Sequence, residues 1–100
     1  MSSNSYTVTE KLEDPKHGNY EVAVDGEAKA YMRFSRLDKV LILHHTEVET
    51  ALRGKGVAML MLKYAVKDAR NRGLKINALC PFSRKTLESD PSYHDVFDSD

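Results

Sequence analysis

Hydrophobic and polar residues alternate with a period of two in the first half of the chain. Apolar side chains recur at every second position over residues 20–24 and 28–35, which predicts two strands that each have one polar face. Asp25-Gly26 between them is typical of a two-residue hairpin turn, so the two strands are expected to pair antiparallel. Before them, residues 6–9 form either a short edge strand or a tail, and Asp14-Pro15 and His17-Gly18 each indicate a turn.

The pattern changes in the second half, where one segment has helical spacing. Residues 40–48 begin with four apolar residues in a row, which predicts a central strand covered on both faces. Residues 56–72 carry an apolar stripe at helical spacing and predict the main helix, which ends at Gly73 in the left-handed position. Residues 74–79 predict another central strand, and residues 82–89 predict a short helix. The predicted order is therefore β-β-β-α-β with a helical tail, and the strands on either side of the main helix are expected to be parallel.

Composition and charge limit the class of protein. The 100 residues provide one domain over residues 1–100, of which residues 1–5 are expected to be disordered. Fifteen basic residues balance 15 acidic ones, which argues against a nucleic-acid partner. Cys80 is the sole cysteine, so no internal disulfide forms and a reducing compartment is favoured. The chain shows neither a signal-peptide pattern nor an apolar run long enough to cross a bilayer, so we expect a cytoplasmic protein with no membrane partner.

A glycine-rich loop, Arg53-Gly54-Lys55-Gly56, lies between the central strand and the main helix. The first turn of a helix has free backbone N–H groups and a partial positive charge, and Arg53 and Lys55 add to that charge. No acidic residue occurs from position 51 to position 67 to offset it, so a bound phosphate would relieve the repulsion. The Walker A pattern is absent, and the dinucleotide fingerprint fails because Met59 replaces its third glycine. An ordinary glycine-rich turn before a core helix is the alternative.

The pattern Arg53-x-x-Gly56-x-Ala58 resembles the coenzyme A signature of the GNAT superfamily of N-acetyltransferases. The likeness covers roughly residues 18–97 and follows the order and spacing of the short GNAT-like acetyltransferases of about one hundred residues. The further matching segments are His45-Thr46-Glu47-Val48, Ala69-Arg70, Gly73-Leu74-Lys75-Ile76, Cys80-Pro81-Phe82 and Pro91-x-Tyr93. The resemblance implies an α/β (α+β) fold: a mixed sheet with an antiparallel β-meander, one main helix on the sheet, a splayed parallel strand pair and a short C-terminal helix.

The resemblance also implies acetyl-CoA as the cosubstrate, with its pantetheine arm between strands 40–48 and 74–79. The residues implied to meet the pyrophosphate, mainly through backbone N–H groups, are Arg53, Gly54, Lys55, Gly56, Val57 and Ala58. The backbone of Val48 would face the thioester.

This chain lacks the helical segment that follows the first strand in full-length members of the superfamily. The acceptor groove should therefore be shallow, or be completed by a protein partner. Many members also carry a tyrosine in the helix after the last of these strands as the acid for the departing thiolate. Residues 82–87 contain none, and Tyr93 comes later.

Two side chains are candidates for catalysis. Cys80 ends the strand that borders the thioester, and its thiolate could accept the acetyl group; the alternative is a buried cysteine that only packs. His45 on the neighbouring strand is the expected base, either for Cys80 or for an amine that attacks the thioester directly, where a water is the other candidate. His44 and His45 are expected to point to opposite faces of the strand. The histidines lack ligand spacing, so no metal site is expected.

The leading hypothesis is an acetyl-CoA-dependent N-acetyltransferase acting on a primary amine of a small molecule or peptide. A polyamine, a lysine side chain and an amino sugar are all open as acceptors. The alternative is a non-catalytic CoA or acyl-CoA-binding module acting within a protein complex, which would need the loop but neither Cys80 nor His45. A third reading is an interaction domain that keeps the fold without a ligand.

Overall fold

A computed structural model describes residues 6–98, so residues 1–5, for which the sequence predicts disorder, and residues 99–100 lie outside the described part. The elements in chain order are β1 (Val8–Asp14), β2 (His17–Val24), β3 (Glu27–Leu37), β4 (Val40–Val48), α1 (Val57–Arg72), β5 (Lys75–Ala78) and α2 (Pro81–Ser89). Short 3₁₀ turns occupy Thr50–Leu52 and Pro91–Tyr93. Within residues 6–98, no helix has the length and apolar character needed to cross a lipid bilayer.

The five strands form one mixed sheet in the order β1-β2-β3-β4-β5. Strands β1 to β4 pair antiparallel with one another. Strands β4 and β5, which precede and follow α1 in the chain, pair in parallel. Asp25 and Gly26 both have positive φ, at 54° and 83°, as a tight hairpin turn of this kind requires. The predicted meander, hairpin and parallel pair are therefore confirmed.

The first strand is longer than the sequence indicates, and the predicted turn at Asp14-Pro15 follows it. The chain reverses at Pro15-Lys16, where the Asp14 carboxylate accepts hydrogen bonds from the backbone N–H groups of Lys16 and His17 at 2.8 and 2.9 Å. The predicted turn at His17-Gly18 is wrong, because both residues belong to β2. Gly18 serves a close approach between strands: a Cβ there would lie 2.5 Å from the Lys11 carbonyl oxygen.

Helix α1 lies across the sheet and closes the core. The buried side chains that α1 contributes are Val57, Met61, Leu62, Ala65, Val66 and Ala69. They form one cluster with apolar side chains of β2 to β5 that are equally buried, including Tyr20, Met32, Phe34, Leu41, Leu43 and Ile76. Gly73 ends the helix in the left-handed conformation, with φ 69°, as predicted.

A polar cluster joins α1 to the sheet at the end of the helix away from the glycine-rich loop. Asp68 of α1 accepts hydrogen bonds from the Tyr20 hydroxyl at 2.8 Å, from Arg36 at 2.6 Å and from Arg72 at 2.8 Å. Arg36 also pairs with Glu10 of β1 at 2.8 Å. Because these side chains come from three strands and the helix, the cluster fixes the angle at which α1 lies on the sheet.

The two parallel strands separate at their C-terminal ends. Pairing of β4 with β5 runs from Val40–Lys75 to Leu43–Ala78. The backbone N–H groups of Leu79 and Cys80 then both donate to the Leu43 carbonyl, at 2.8 and 3.2 Å, and α2 begins. Strand β4 continues to Val48 with no strand beside it on this side among the described residues. The sheet is therefore splayed where the cosubstrate arm was expected.

Candidate active site

The loop before α1 is shaped by two glycines in the left-handed region. Gly54 and Gly56 have φ of 78° and 75°, and a Cβ at either position would point into open space. Gly56 is the N-cap of α1 and brings no side chain to cap it, so the N–H groups of the first helical turn have no acceptor within the helix. The first turn also holds no acidic residue, while Arg53 and Lys55 beside it are exposed. The loop is therefore a ready site for an anion.

Arg53 holds this loop against the end of β4. Its Nε donates a hydrogen bond to the Val48 carbonyl oxygen at 3.1 Å, so that carbonyl already has a partner. The Lys55 N–H donates to the Leu52 carbonyl at 3.3 Å and closes the turn. Two residues predicted to bind the cosubstrate, Arg53 and Val48, are therefore hydrogen-bonded to each other and hold the loop in place.

A cleft of about 280 Å³ opens beside the loop. Its lining residues are Val48, Leu52, Arg53, Gly54, Gly56, Val57, Ala58, Met59 and Phe82. Phe82 reaches the cleft from the start of α2 and is 38% exposed, and Leu79 on the other side of Cys80 is 61% exposed. The structure therefore brings Val48 and all the predicted loop residues except Lys55 together around an apolar cleft at the splayed end of the sheet.

Cys80 is the N-cap residue of α2, between the two exposed apolar side chains Leu79 and Phe82. Its thiol is buried and donates a hydrogen bond to the Thr46 hydroxyl of β4, with Sγ and Oγ1 3.3 Å apart. Burial raises the pKa of the Cys80 thiol, but the Thr46 hydroxyl and the nearby Ser83 outweigh it, so the pKa lies below the ordinary value of a cysteine. A lowered pKa increases the thiolate fraction near neutral pH.

His45 lies on the other face of the sheet from this thiol. Its Nε2 is 3.0 Å from a Glu47 carboxylate oxygen, and its ring centroid is 6.2 Å from that of Tyr31. His44 Nε2 is 2.8 Å from the hydroxyl of Ser35. Ser35 lies four residues after Tyr31 in β3, and alternation puts both on the same face of the sheet. Both histidines therefore face away from α1, and the prediction that they point to opposite faces is wrong.

A β-bulge explains why alternation fails here. Strand β4 pairs His45 with Arg33 and Leu43 with Phe34, so His44 is an extra residue opposite no partner. After the bulge, Thr46 pairs with Met32 and shares its face toward α1. The structure therefore brings Cys80 together with Thr46. His45, the residue before Thr46, makes its contacts on the opposite face of the sheet.

Tyr93 is placed at the far end of α1. It is buried in the 3₁₀ turn that follows α2, beside Arg70, which donates to the Ser92 carbonyl at 2.7 Å and pairs with Asp95 at 2.9 Å. The loop Arg53 to Gly56 lies at the opposite end of the helix. Within residues 6–98, no group of three His, Cys, Asp or Glu side chains is arranged to hold a metal ion.

Comparison with known proteins gives the same fold. Residues 19–96 match the family described as GCN5-related N-acetyl-transferase. A GCN5-like protein from Staphylococcus aureus, solved by NMR, is 31% identical, with a TM-score of 0.70; the match covers 97% of this chain and 91% of that one. No curated protein matches the chain.

Two larger enzymes share the fold at lower identity. Ribosomal-protein-alanine N-acetyltransferase from Brucella melitensis biovar Abortus 2308 is 24% identical with a TM-score of 0.67, and the match covers 78% of this chain but only 63% of that enzyme. The aminoglycoside N-acetyltransferase AAC(6')-Iy, in complex with CoA, is 19% identical with a TM-score of 0.59, covering 78% of this chain and 69% of that one. With a family match that spans most of its length, the chain belongs to the GCN5-related N-acetyltransferases.

Proposed function

We propose that the protein is an N-acetyltransferase that uses acetyl-CoA and transfers its acetyl group to a primary amine. The observation that carries the proposal is the loop of Arg53 to Gly56, with two left-handed glycines, at a helix N-terminus that faces an apolar cleft. Its free N–H groups and two cations suit a pyrophosphate, and the cleft suits an uncharged arm. The single cysteine is a free thiol, which fits a cytoplasmic location.

In this proposal the N–H groups of Gly56, Val57 and Ala58 meet the pyrophosphate, and Lys55 adds positive charge beside them. Gly54 leaves room for the anion, since its Cβ position is open. Arg53 keeps the loop against β4 through the Val48 carbonyl. The pantetheine arm follows the unpaired edge of β4 past Thr46, so the thioester arrives near the start of α2.

Cys80 is the proposed nucleophile. Its thiolate attacks the carbonyl carbon of the thioester, the bond from that carbon to the CoA sulfur breaks, and CoA leaves as a thiolate that takes a proton from water. The acceptor amine then attacks the Cys80 thioester, loses a proton to solvent and releases the thiolate. Thr46 contacts the sulfur of Cys80, whereas His45 lies on the other face of the sheet and is not the proposed base for this thiol. In the second route, in which an amine attacks acetyl-CoA directly, His45 or a water is the proposed base.

The acceptor is proposed to be a primary amine in a small molecule or a peptide. Solved proteins of this fold act, by their names, on ribosomal-protein alanine and on aminoglycosides. This chain spans 63% of the first of these enzymes, so part of that enzyme has no counterpart here. A protein partner that covers the open side of the cleft would complete the acceptor site.

A non-catalytic CoA-binding module is the second candidate. It is favoured by the burial of the Cys80 side chain, which is 5% exposed, and by the position of Tyr93 far from the loop. In that case the loop binds CoA or acyl-CoA, and the thiol has no part in transfer.

Intact-protein mass measurement separates these candidates. The protein is incubated with acetyl-CoA, first without an acceptor and then with a panel of polyamine, peptide and amino-sugar acceptors. Because Cys80 is the only cysteine, an acetyl adduct that hydroxylamine removes identifies Cys80 thioester, and Cys80→Ala is the control. Acetylated acceptor together with this adduct supports the proposed route, and acetylated acceptor from Cys80→Ala as well would contradict it. Binding with neither product would establish the non-catalytic module.

A further inference from the structure

One polar group in the part of the chain that the structure describes has no partner although it lies beside the candidate nucleophile. The Ser83 side chain is fully buried, at 0% exposed, and its hydroxyl oxygen makes no hydrogen bond within residues 6–98. Buried hydroxyl groups are nearly always hydrogen-bonded. An unpaired one therefore indicates that the hydroxyl gains a partner in another state of the site.

Ser83 follows Cys80 by three residues, within the first turn of α2. Cys80 is the N-cap of α2, Pro81 is the first helical residue and Ser83 is the third. In a helix N-terminus the side chain of the N-cap residue lies against the third residue, which is the geometry of reciprocal capping. Ser83 lies close enough to lower the pKa of the Cys80 thiol, although its hydroxyl does not reach hydrogen-bond geometry with the sulfur in this structure.

We propose that Ser83 is a positioning residue whose hydroxyl turns to the Cys80 sulfur and donates a hydrogen bond to its thiolate. Thr46 contacts the same sulfur from β4, so the thiolate is held between a strand and a helix. The first turn of α2 contains no acidic residue that would compete for its N–H groups. This role rests on the proposed function only in its link to acetyl transfer, since the hydroxyl and thiolate can be tested without acetyl-CoA.

The charged groups of the surrounding elements have other partners. Arg84 of α2 donates to the Ala78 carbonyl at 3.4 Å and pairs with Glu88 at 3.3 Å. His45 and Glu47 of β4 pair with each other on the opposite sheet face, and His44 pairs with Ser35. In this proposal the thiolate is therefore stabilised by the two hydroxyl groups and by the N-terminus of α2, and not by a charged side chain.

The test is an ultraviolet titration of the thiolate in the free protein, with Cys80→Ser as the blank. Only one cysteine contributes to the signal. Ser83→Ala should raise the pKa of Cys80 by about one unit, the size expected for one hydrogen bond to a charged group. Ser89→Ala is the matched control, because Ser89 ends the same helix and donates to the Lys85 carbonyl at 2.6 Å, away from the thiol. Thermal denaturation confirms that both variants are folded.

An unchanged or lowered pKa in folded Ser83→Ala would overturn the proposal. In transfer assays, the variant should lose rate at neutral pH with KM for acetyl-CoA unchanged, and recover toward the wild-type rate at higher pH. A purely structural serine would not move the pH profile. If the pKa shifts but the wild-type protein transfers no acetyl group, the pairing of hydroxyl and thiolate stands and the proposed function fails.

Discussion

At the scale of single residues, the proposed reactivity of Cys80 depends on the hydroxyl of Thr46. The oxygen of this hydroxyl is 3.3 Å from the sulfur and accepts a hydrogen bond from the thiol. Burial alone would raise the pKa of the thiol, and hydrogen bonding reverses the direction. Thr46 is therefore proposed to have a chemical role, although threonine is common in strands.

Thr46→Val tests that role, because valine keeps the shape and removes the hydroxyl. The pKa of the Cys80 thiol should rise by about one unit, since the thiolate loses a hydrogen bond. The rate of transfer should increase as pH rises through the pKa of the Cys80 thiol in the folded protein, because the thiolate is the reactive form. The variant's rate should therefore be lower at neutral pH and reach the wild-type rate above its raised pKa.

Thr9→Val is the matched control for this prediction, because Thr9 is an exposed residue of the edge strand β1. Its pH–rate profile should overlay that of the wild-type protein. A Thr46→Val profile that also overlays the wild type would show that the hydroxyl does not act on the thiolate.

The hydrogen bond between Cys80 and Thr46 could not be predicted from the sequence. Strict alternation in β4 made His45 the expected base, but the bulge at His44 changes which face each later residue occupies. A bulge inserts one residue without any distinctive residue type, so the pattern of polar and apolar positions does not reveal it. Ser83 was missed for a related reason, because its burial arises from the packing of α2.

At the scale of elements, the Asp68 cluster fixes α1 on the sheet. Asp68 accepts from Tyr20, Arg36 and Arg72, and its side chain is 13% exposed. Burial raises the pKa of its carboxyl, but the hydrogen bonds from Arg72, Arg36 and Tyr20 outweigh it and lower the pKa below 3.8. Such a carboxylate stabilises the folded state fully above the pKa of the unfolded chain, and the contribution is lost as pH falls through the folded pKa.

Asp68→Asn should lower the free energy of unfolding at neutral pH by about 1–3 kcal/mol, because hydrogen bonds to a charged acceptor are replaced by weaker ones. The loss should shrink as the pH is lowered below about 4, where the wild-type carboxylate is itself protonated. Urea denaturation across that pH range measures both effects. Asp95→Asn breaks the exposed pair with Arg70 and should change stability much less. Equal losses for the two variants would contradict the assignment.

The second prediction at the scale of elements concerns the close approach of β1 and β2 at Gly18. Ala at this position would place a methyl group 2.5 Å from the Lys11 carbonyl and 3.1 Å from the Phe34 ring. Gly18→Ala should therefore lower the free energy of unfolding by about 1–3 kcal/mol, the usual cost of overpacking. Chemical denaturation of the variant measures this change. Wild-type stability in Gly18→Ala would show that the strands have room to separate.

The sequence predicts the elements whose signals are local. The Asp25-Gly26 turn, the stripe of α1 and its end at Gly73 were all confirmed, because each depends on neighbouring residues. Strand β1 was only partly anticipated, since most of its side chains are exposed and its pairing with β2 is a contact between strands. For the same reason Gly18 was interpreted as a turn residue, when its role is to let β1 approach.

At the scale of the whole molecule, the chain spans nearly all of one solved relative and only part of another. It matches 91% of the Staphylococcus aureus structure but 63% of the Brucella enzyme. The hairpin at Asp25-Gly26 joins β2 directly to β3, with no helix between them. The loop, cleft and splayed strands are nevertheless present among the described residues, and these are the parts proposed to hold the cosubstrate.

The central claim is that the loop at the start of α1 binds acetyl-CoA, and Gly56→Glu tests it most directly. The substitution places a carboxylate where the pyrophosphate is expected, at a residue with φ 75°. Gly26→Glu is the matched control, because Gly26 has φ 83°, has equally open space at its Cβ and lies in the distant hairpin. It introduces the same charge and comparable backbone strain.

Isothermal titration of the three proteins with acetyl-CoA, and with desulfo-CoA as a non-acylating ligand, gives the answer. We expect micromolar binding of both ligands to the wild-type protein and to Gly26→Glu. Gly56→Glu should weaken binding by at least about tenfold, or about 1.4 kcal/mol. Equal affinity of Gly56→Glu and the wild type, or no binding by the wild-type protein, would contradict the account.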